Sequence, residues 1–168
     1  MRTEFGIARS ECSCNHCKSC CKAIPGYLIP SDLDRIIPNN INPLTWAESN
    51  LLASPGAMVM KGGEVIVIPT LVPATKPDWS CKFYDNDKCG VWESSPFGCA
   101  MFSCKQSTQE ADSLSSQGLI SILQDIAKPD SLYFKIWWHL HKIGKMSPSV
   151  KEKRAKLQEI LNNETHNS

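Results

Sequence analysis

The sequence lacks any apolar run near the ~18 consecutive residues that a membrane-spanning helix needs, which excludes an integral helical membrane protein. It also lacks a bias of charge. Lys and Arg number 18 against 17 Asp and Glu, a net +1, so neither a basic nucleic-acid footprint nor an acidic solvating tail is present. Met1 to Ser10 contain no apolar h-region, so no secretory signal is expected and a cytoplasmic location is. Several catalytic signatures are missing: H-E-x-x-H, G-x-S-x-G, G-x-x-x-x-G-K-[ST] and G-x-G-x-x-G. No internal repeat is evident. What the chain does have, in 168 residues, is nine cysteines in two bursts.

The first burst is Cys12, Cys14, Cys17, Cys20 and Cys21; the second is Cys81, Cys89, Cys99 and Cys104. Between them lie 59 residues without cysteine. An odd count with no signal peptide argues against a disulfide scaffold, and clustered thiols in a reducing compartment point to metal ligation. Cys14 to Cys21 sit among polar residues, which argues against inert buried thiols. The spacing C-x2-C-x2-C-C lets tight turns aim thiolates at one centre. Tetrahedral zinc, with Zn–S of about 2.3 Å, and iron–sulfur clusters both use such turns. Neighbouring Cys20 and Cys21 point in different directions, so they can serve two centres. Eight thiols (Cys14, Cys17, Cys20, Cys21, Cys81, Cys89, Cys99 and Cys104) suffice for two four-thiolate sites. Cys12 is then the odd thiol. His16 lies inside the first turn and is expected to be exposed or to donate a hydrogen bond beside the ligands rather than to replace one.

These residues resemble the CxxCxxCC cysteine-cluster family, described as zinc- or iron-chelating (the YkgJ-type proteins). The resemblance runs from Cys14-Asn15-His16-Cys17-Lys18-Ser19-Cys20-Cys21 through Ser31-Asp32-Leu33-Asp34-Arg35-Ile36. It continues in Cys81-Lys82-Phe83, Cys89-Gly90-Val91-Trp92, Pro96-Phe97-Gly98-Cys99 and Phe102-Ser103-Cys104. The family carries Arg before that Pro and after the following Cys, and often Pro before the last Cys. Here Ser95, Ala100 and Ser103 stand instead. The resemblance implies metal binding. A similar cluster in flagellin lysine methylases implies a link to protein modification.

The expected fold is small α+β: an irregular cysteine-rich metal knot with short helices and a β-hairpin, followed by about three C-terminal helices. Residues 1–104 form the cysteine-cluster domain and 105–168 a helical annex packing on it. Ser31 is read as the cap of a short helix through Ile37, stopped by Pro38. Asn42-Pro43 opens a second helix to about Leu52, with Leu44, Ala47 and Leu51 on one face. Ala57–Met60 and Val65–Ile68 form a hairpin around Lys61 to Glu64, followed by a Pro-rich link from Pro69 to Pro77. Lys105 to Ser116 reads as a linker. Helices follow over about Gln117–Lys128, Asp130–Ile143 and Ser147–Asn162. In the second of these, Tyr133, Ile136, Trp137, Leu140 and Ile143 share a face, and Gly144 ends it. The Trp137-Trp138 pair is expected to pack over the cysteine knot. His139 and His141 face different ways. Lys151 to Lys156 is a solvated face.

The functional expectation is a protein carrying one or two iron–sulfur clusters, of the [4Fe–4S] type, used in electron transfer or as an accessory to a modification or metal-handling system. A structural zinc module presenting a surface to a protein partner is the alternative, and a component of a methylase-like enzyme a weaker one. The expected partner is a protein of a redox or modification system; no nucleic acid is expected.

Overall fold

A computed structural model describes residues 21–61, 64–101 and 106–166. After a helical end at residues 21–23, helix α1 (Pro30–Ile36) begins with Pro at its first position and buries Leu33 and Ile36. Its cap is not Ser31. Ile29 holds the capping position without a side-chain acceptor, and Asp32 reaches back to accept the Ile29 N–H at 2.8 Å. Helix α2 (Pro43–Asn50) starts as its sequence predicts. The Asn42 carboxamide oxygen accepts from Leu44 and Thr45 N–H, and Pro43 follows at the first turn. It ends at Asn50, so Leu51 and Leu52 belong to a strand.

That strand, β1 (Leu51–Lys61), pairs antiparallel with β2 (Glu64–Pro73). The hairpin is longer than its apolar tip. The register runs from Lys61↔Glu64 to Ala57↔Ile68, shifts at Pro55-Gly56 opposite Pro69, and resumes from Ser54↔Thr70 to Leu51↔Pro73. Neither proline can donate to the ladder, so the sheet accommodates both in a bulge. Gly56 takes φ +124° there, and a Cβ at this position would stand 2.6 Å from Val67 Cγ1 and 2.8 Å from Ile68 O. The first half of the supposed Pro-rich link is therefore inner strand.

The inner half of the hairpin is flanked on both sides. Ala53 donates to Lys145 O and accepts from Ser147 N–H. On the other side Leu28 N–H donates to Leu71 O at 2.8 Å. The return bond of that bridge passes through a side chain: Leu71 N–H donates to the Tyr133 hydroxyl at 2.9 Å, which donates to Leu28 O at 2.8 Å. Burial holds the Tyr133 phenol well above its usual range, so it stays a donor.

Two short strands, β3 (Tyr84–Asp85) and β4 (Lys88–Cys89), and a single helical turn, α3 (Phe97–Ala100), lie between the hairpin and the C-terminal helices. Helix α4 (Thr108–Ile126) starts inside the expected linker. A capping box drives it: Ser107 Oγ accepts from Glu110 N–H, and the Glu110 carboxylate returns to Ser107 N–H. Helix α5 (Leu132–Lys142) is capped by Ser131 and closed by Gly144 at φ +74°. Helix α6 (Val150–His166) follows. The chain is thus a small α+β fold with three helices after the cysteine-bearing segment.

The core joins both halves of the chain: Leu28, Ile29, Leu33, Leu51, Leu71, Phe97, Ile122, Ile136 and Leu140 are buried together. Tyr133, Ile136 and Leu140 form the expected face of α5, but Ile143 lies outside it and is exposed. The Trp137 indole donates to Ser54 O at 2.9 Å, so among the described residues this ring is held on the hairpin. Phe83, two residues after Cys81, stacks on Trp46 at 6.3 Å. His139 contacts Glu48, whereas His141 stacks on Trp137 and Trp138, so the two do face different ways. On α6, Lys153 is buried, against the solvated face expected there, and burial lowers its pKa.

Candidate metal centre

Two local devices place the cysteines of the second burst. Cys81 enters through a backbone bridge with Thr75, and its turn is closed by Tyr84 N–H to Cys81 O at 2.9 Å. The chain then reverses between β3 and β4, where Tyr84 pairs with Cys89. Asn86 and Asp87 hold φ +46° and +60° at this reversal, a conformation Asn and Asp tolerate better than most side chains. Cys81 and Cys89 are thereby returned to one end of a tight loop. The seven-residue spacing looks loose, but Asn86-Asp87 between Phe83-Tyr84 and Lys88-Cys89 is a turn signal that would have shown it.

Cys99 is placed from farther away. It sits in α3, and the N-terminus of that turn is held by Asp32 of α1. One oxygen of the fully buried Asp32 carboxylate accepts from Phe97 N–H and Ile29 N–H, both at 2.8 Å. The other accepts from Arg35 at 2.5 Å. A single carboxylate so caps two helix N-termini, where negative charge is favoured. The segment after Cys21 then crosses directly beneath Cys99. Gly98 N–H donates to Tyr27 O at 2.9 Å, and Gly26 N–H donates to Cys99 Sγ at 3.2 Å. Cys21 closes the arrangement, since its carbonyl accepts from Cys81 N–H at 2.7 Å.

Four predicted ligands are therefore drawn to one region: Cys21, Cys81, Cys89 and Cys99. Their electrostatics show it. Burial pushes the Cys81 thiol from 9.0 to about 12, and the charges of Cys21 and Cys89 push it further in the same direction. Burial likewise holds Cys99 far above the usual thiol range; the Gly26 N–H opposes this, and Cys81, Cys21 and Cys89 reinforce it. Cys81, Cys89 and Cys99 are free thiols. Among the described residues no group of three or more His, Cys, Asp or Glu side chains is placed to hold a metal ion. Cys14, Cys17, Cys20 and Cys104, with Cys12 and His16, lie outside the described residues.

The donor set fits a thiophilic centre. Sulfur ligands select zinc or iron–sulfur clusters over the hard cations. A backbone N–H aimed at sulfur stabilises the thiolate and is one of the contacts that tune such centres. Asp32, Arg35, Gly26 and Gly98 were missed as site-building residues by sequence reasoning. The usable signal was local for Asp32 alone: an acid two residues after the Pro that opens a helix.

The model of the CxxCxxCC family, described as "Putative zinc- or iron-chelating domain", matches residues 13–116, more than half of the chain. No curated protein and no solved structure matches. Among the described residues no helix is long and apolar enough to cross a membrane.

Proposed function

Since this chain belongs to the CxxCxxCC family, whose description is zinc or iron chelation, we propose that it holds iron as one or two iron–sulfur clusters bound by thiolates of both bursts. The observation that supports this best is the meeting of Cys21 with Cys81, Cys89 and Cys99 across 59 residues of intervening chain. Cys21 thus faces the second burst. One ligand set is Cys21, Cys81, Cys89 and Cys99; the other is Cys14, Cys17, Cys20 and Cys104. A cluster held by such a set supplies one-electron transfer. The chain's own contribution is to gather the sulfurs, to hold the N–H of Gly26 on Cys99, and to bury Cys81. The role fitting these parts is electron transfer, or service to a modification or metal-handling partner, in a reducing compartment.

Anaerobically isolated protein should be brown, with a broad absorption shoulder at about 400 nm that bleaches on reduction. Cys21→Ser and Cys81→Ser should remove the same share of the metal, and Cys12→Ser none. A colourless protein carrying about two zinc ions per chain would overturn the iron reading in favour of a zinc module.

The raised thiols also set two pH trends of opposite sign. Loading requires each thiol to lose its proton, so metal affinity rises with pH and uptake releases protons. The metal-free fold behaves in reverse. Its Cys81 pKa is raised from 9.0 to about 12, so the unfolded chain gives up that proton first. The stability this contributes is complete below pH 9 and is lost as pH climbs toward 12. Thermal melts of chelated protein should therefore fall across that window. Melts that are flat there would mean that Cys81 is open to solvent in the metal-free state.

A further inference from the structure

The C-terminus of α2 carries a second feature, lined by Thr75 and Lys82 among others. A cleft of about 660 Å³ opens there, within the range of small-molecule sites. Leu51, Leu52, Ala74 and Met146 give it apolar walls, and Lys76, Lys82 and Lys145 line it with three cations. The Lys82 ammonium donates to Ser49 O and the Lys145 ammonium to Glu48 O. These carbonyls are consecutive at one helix end, so the two ammonium groups stand within roughly 9 Å of each other. Lys76 donates to Tyr84 O at 2.5 Å.

Capping the last carbonyls of a helix explains one N–H from each of Lys82 and Lys145. It leaves two donors on each, and it leaves the charge. Among the described residues neither lysine pairs with a carboxylate. The one acid lining the cleft, Glu48, is engaged by His139 at 2.7 Å. Asp85 stands 4.0 Å from Lys76, is largely exposed, and is not part of the lining. In a chain of net charge +1, three cations around one concave, apolar-walled space form a local excess that suits a multiply charged anion.

We propose that this cleft binds a small anionic ligand carrying two or more carboxylate or phosphate groups on a short apolar frame. Lys82 and Lys145 bridge one anionic group, Lys76 meets another, and the Leu52–Met146 side covers the frame. The site is independent of the metal reading, since none of the groups it uses is a thiol.

Calorimetric titration of the full chain with citrate in one arm and propane-1,3-diyl bisphosphate in the other tests this and separates the two sources. Saturable 1:1 binding in at least one arm is expected, weakening steeply with salt. Lys82→Gln with Lys145→Gln removes the charge while keeping an N–H for the helix carbonyls; binding should weaken at least tenfold with the circular dichroism unchanged. If that pair fails to fold, Lys76→Gln alone should still weaken binding several-fold. No heat of binding in either arm, or affinities unchanged in folded variants, would overturn the proposal.

Discussion

Asp32→Ala should be among the most destabilising single substitutions in this chain, at about 3–5 kcal/mol. The buried carboxylate accepts from its neighbour Ile29 N–H, from Phe97 N–H 65 residues further along the chain than Asp32, and from Arg35. Its removal strands both N–H groups out of reach of water, at about 1–3 kcal/mol each. It also leaves a partly buried guanidinium with less to hold. At roughly 2–4 °C per kcal/mol for a chain of this size, the midpoint should fall by about 6–20 °C. Asp32→Asn should fall between, since an amide oxygen can still accept from a backbone N–H but its NH₂ meets the donors of Arg35. The metal content of Asp32→Ala should drop as well, because Phe97 N–H lies two residues before Cys99. A melt within 1 kcal/mol of the parent would show that the two helix ends need no shared cap.

Gly26→Ala should be comparably severe through pure contact. A Cβ on Gly26 would stand 2.2 Å from the Gly98 carbonyl carbon and 2.3 Å from Cys99 N. Both neighbours are main chain, so no rotamer change relieves the overlap, and the two segments must part. Overpacking against movable side chains costs about 1–3 kcal/mol; a backbone wedge exceeds that. Parting them also withdraws the Gly26 N–H from Cys99 Sγ. Metal stoichiometry should fall together with stability. Gly90→Ala is the control: its Cβ meets nothing nearer than Phe83 O at 3.4 Å, and the variant should melt close to the parent. Equal behaviour of the two variants would falsify the crossing of the Gly26 and Gly98 segments.

What the sequence discloses of this fold is what chemistry over three or four residues decides. Asn42-Pro43 starts α2 and Gly144 ends α5 because capping and left-handed backbone are local matters. Ser107 with Glu110 is equally local and was there to be read, so the expected linker was a misreading of polar composition. Pro55-Gly56 and Pro69 look like breaks in one dimension. They are a bulge only because they face each other across a ladder. Lys153 shows no sequence sign of burial, since burial depends on what α6 lies against. For the site, the spacing C-x2-C-x2-C-C announces ligation by itself. The union of Cys21 with Cys81, Cys89 and Cys99 rests on one local support, the turn that Asn86-Asp87 announces, and on two non-local ones, Asp32 on Phe97 and Gly26 against Gly98. Neither non-local contact has a periodicity or spacing to betray it.

The Tyr133 hydroxyl carries a consequence for the order in which the chain is made. It ties Leu71 and Leu28 from 62 and 105 residues away. Synthesis runs from the N-terminus, so every cysteine has been added before Tyr133 has. For that interval the bridge between Leu28 and Leu71 has its direct bond but not its return bond, and the buried faces of Ile136 and Leu140 do not yet exist. Contacts of such long sequence separation close late and slowly. The thiols therefore pass through a nascent stage in which their surroundings are complete in sequence but not yet covered, and α5 seals the core only afterwards.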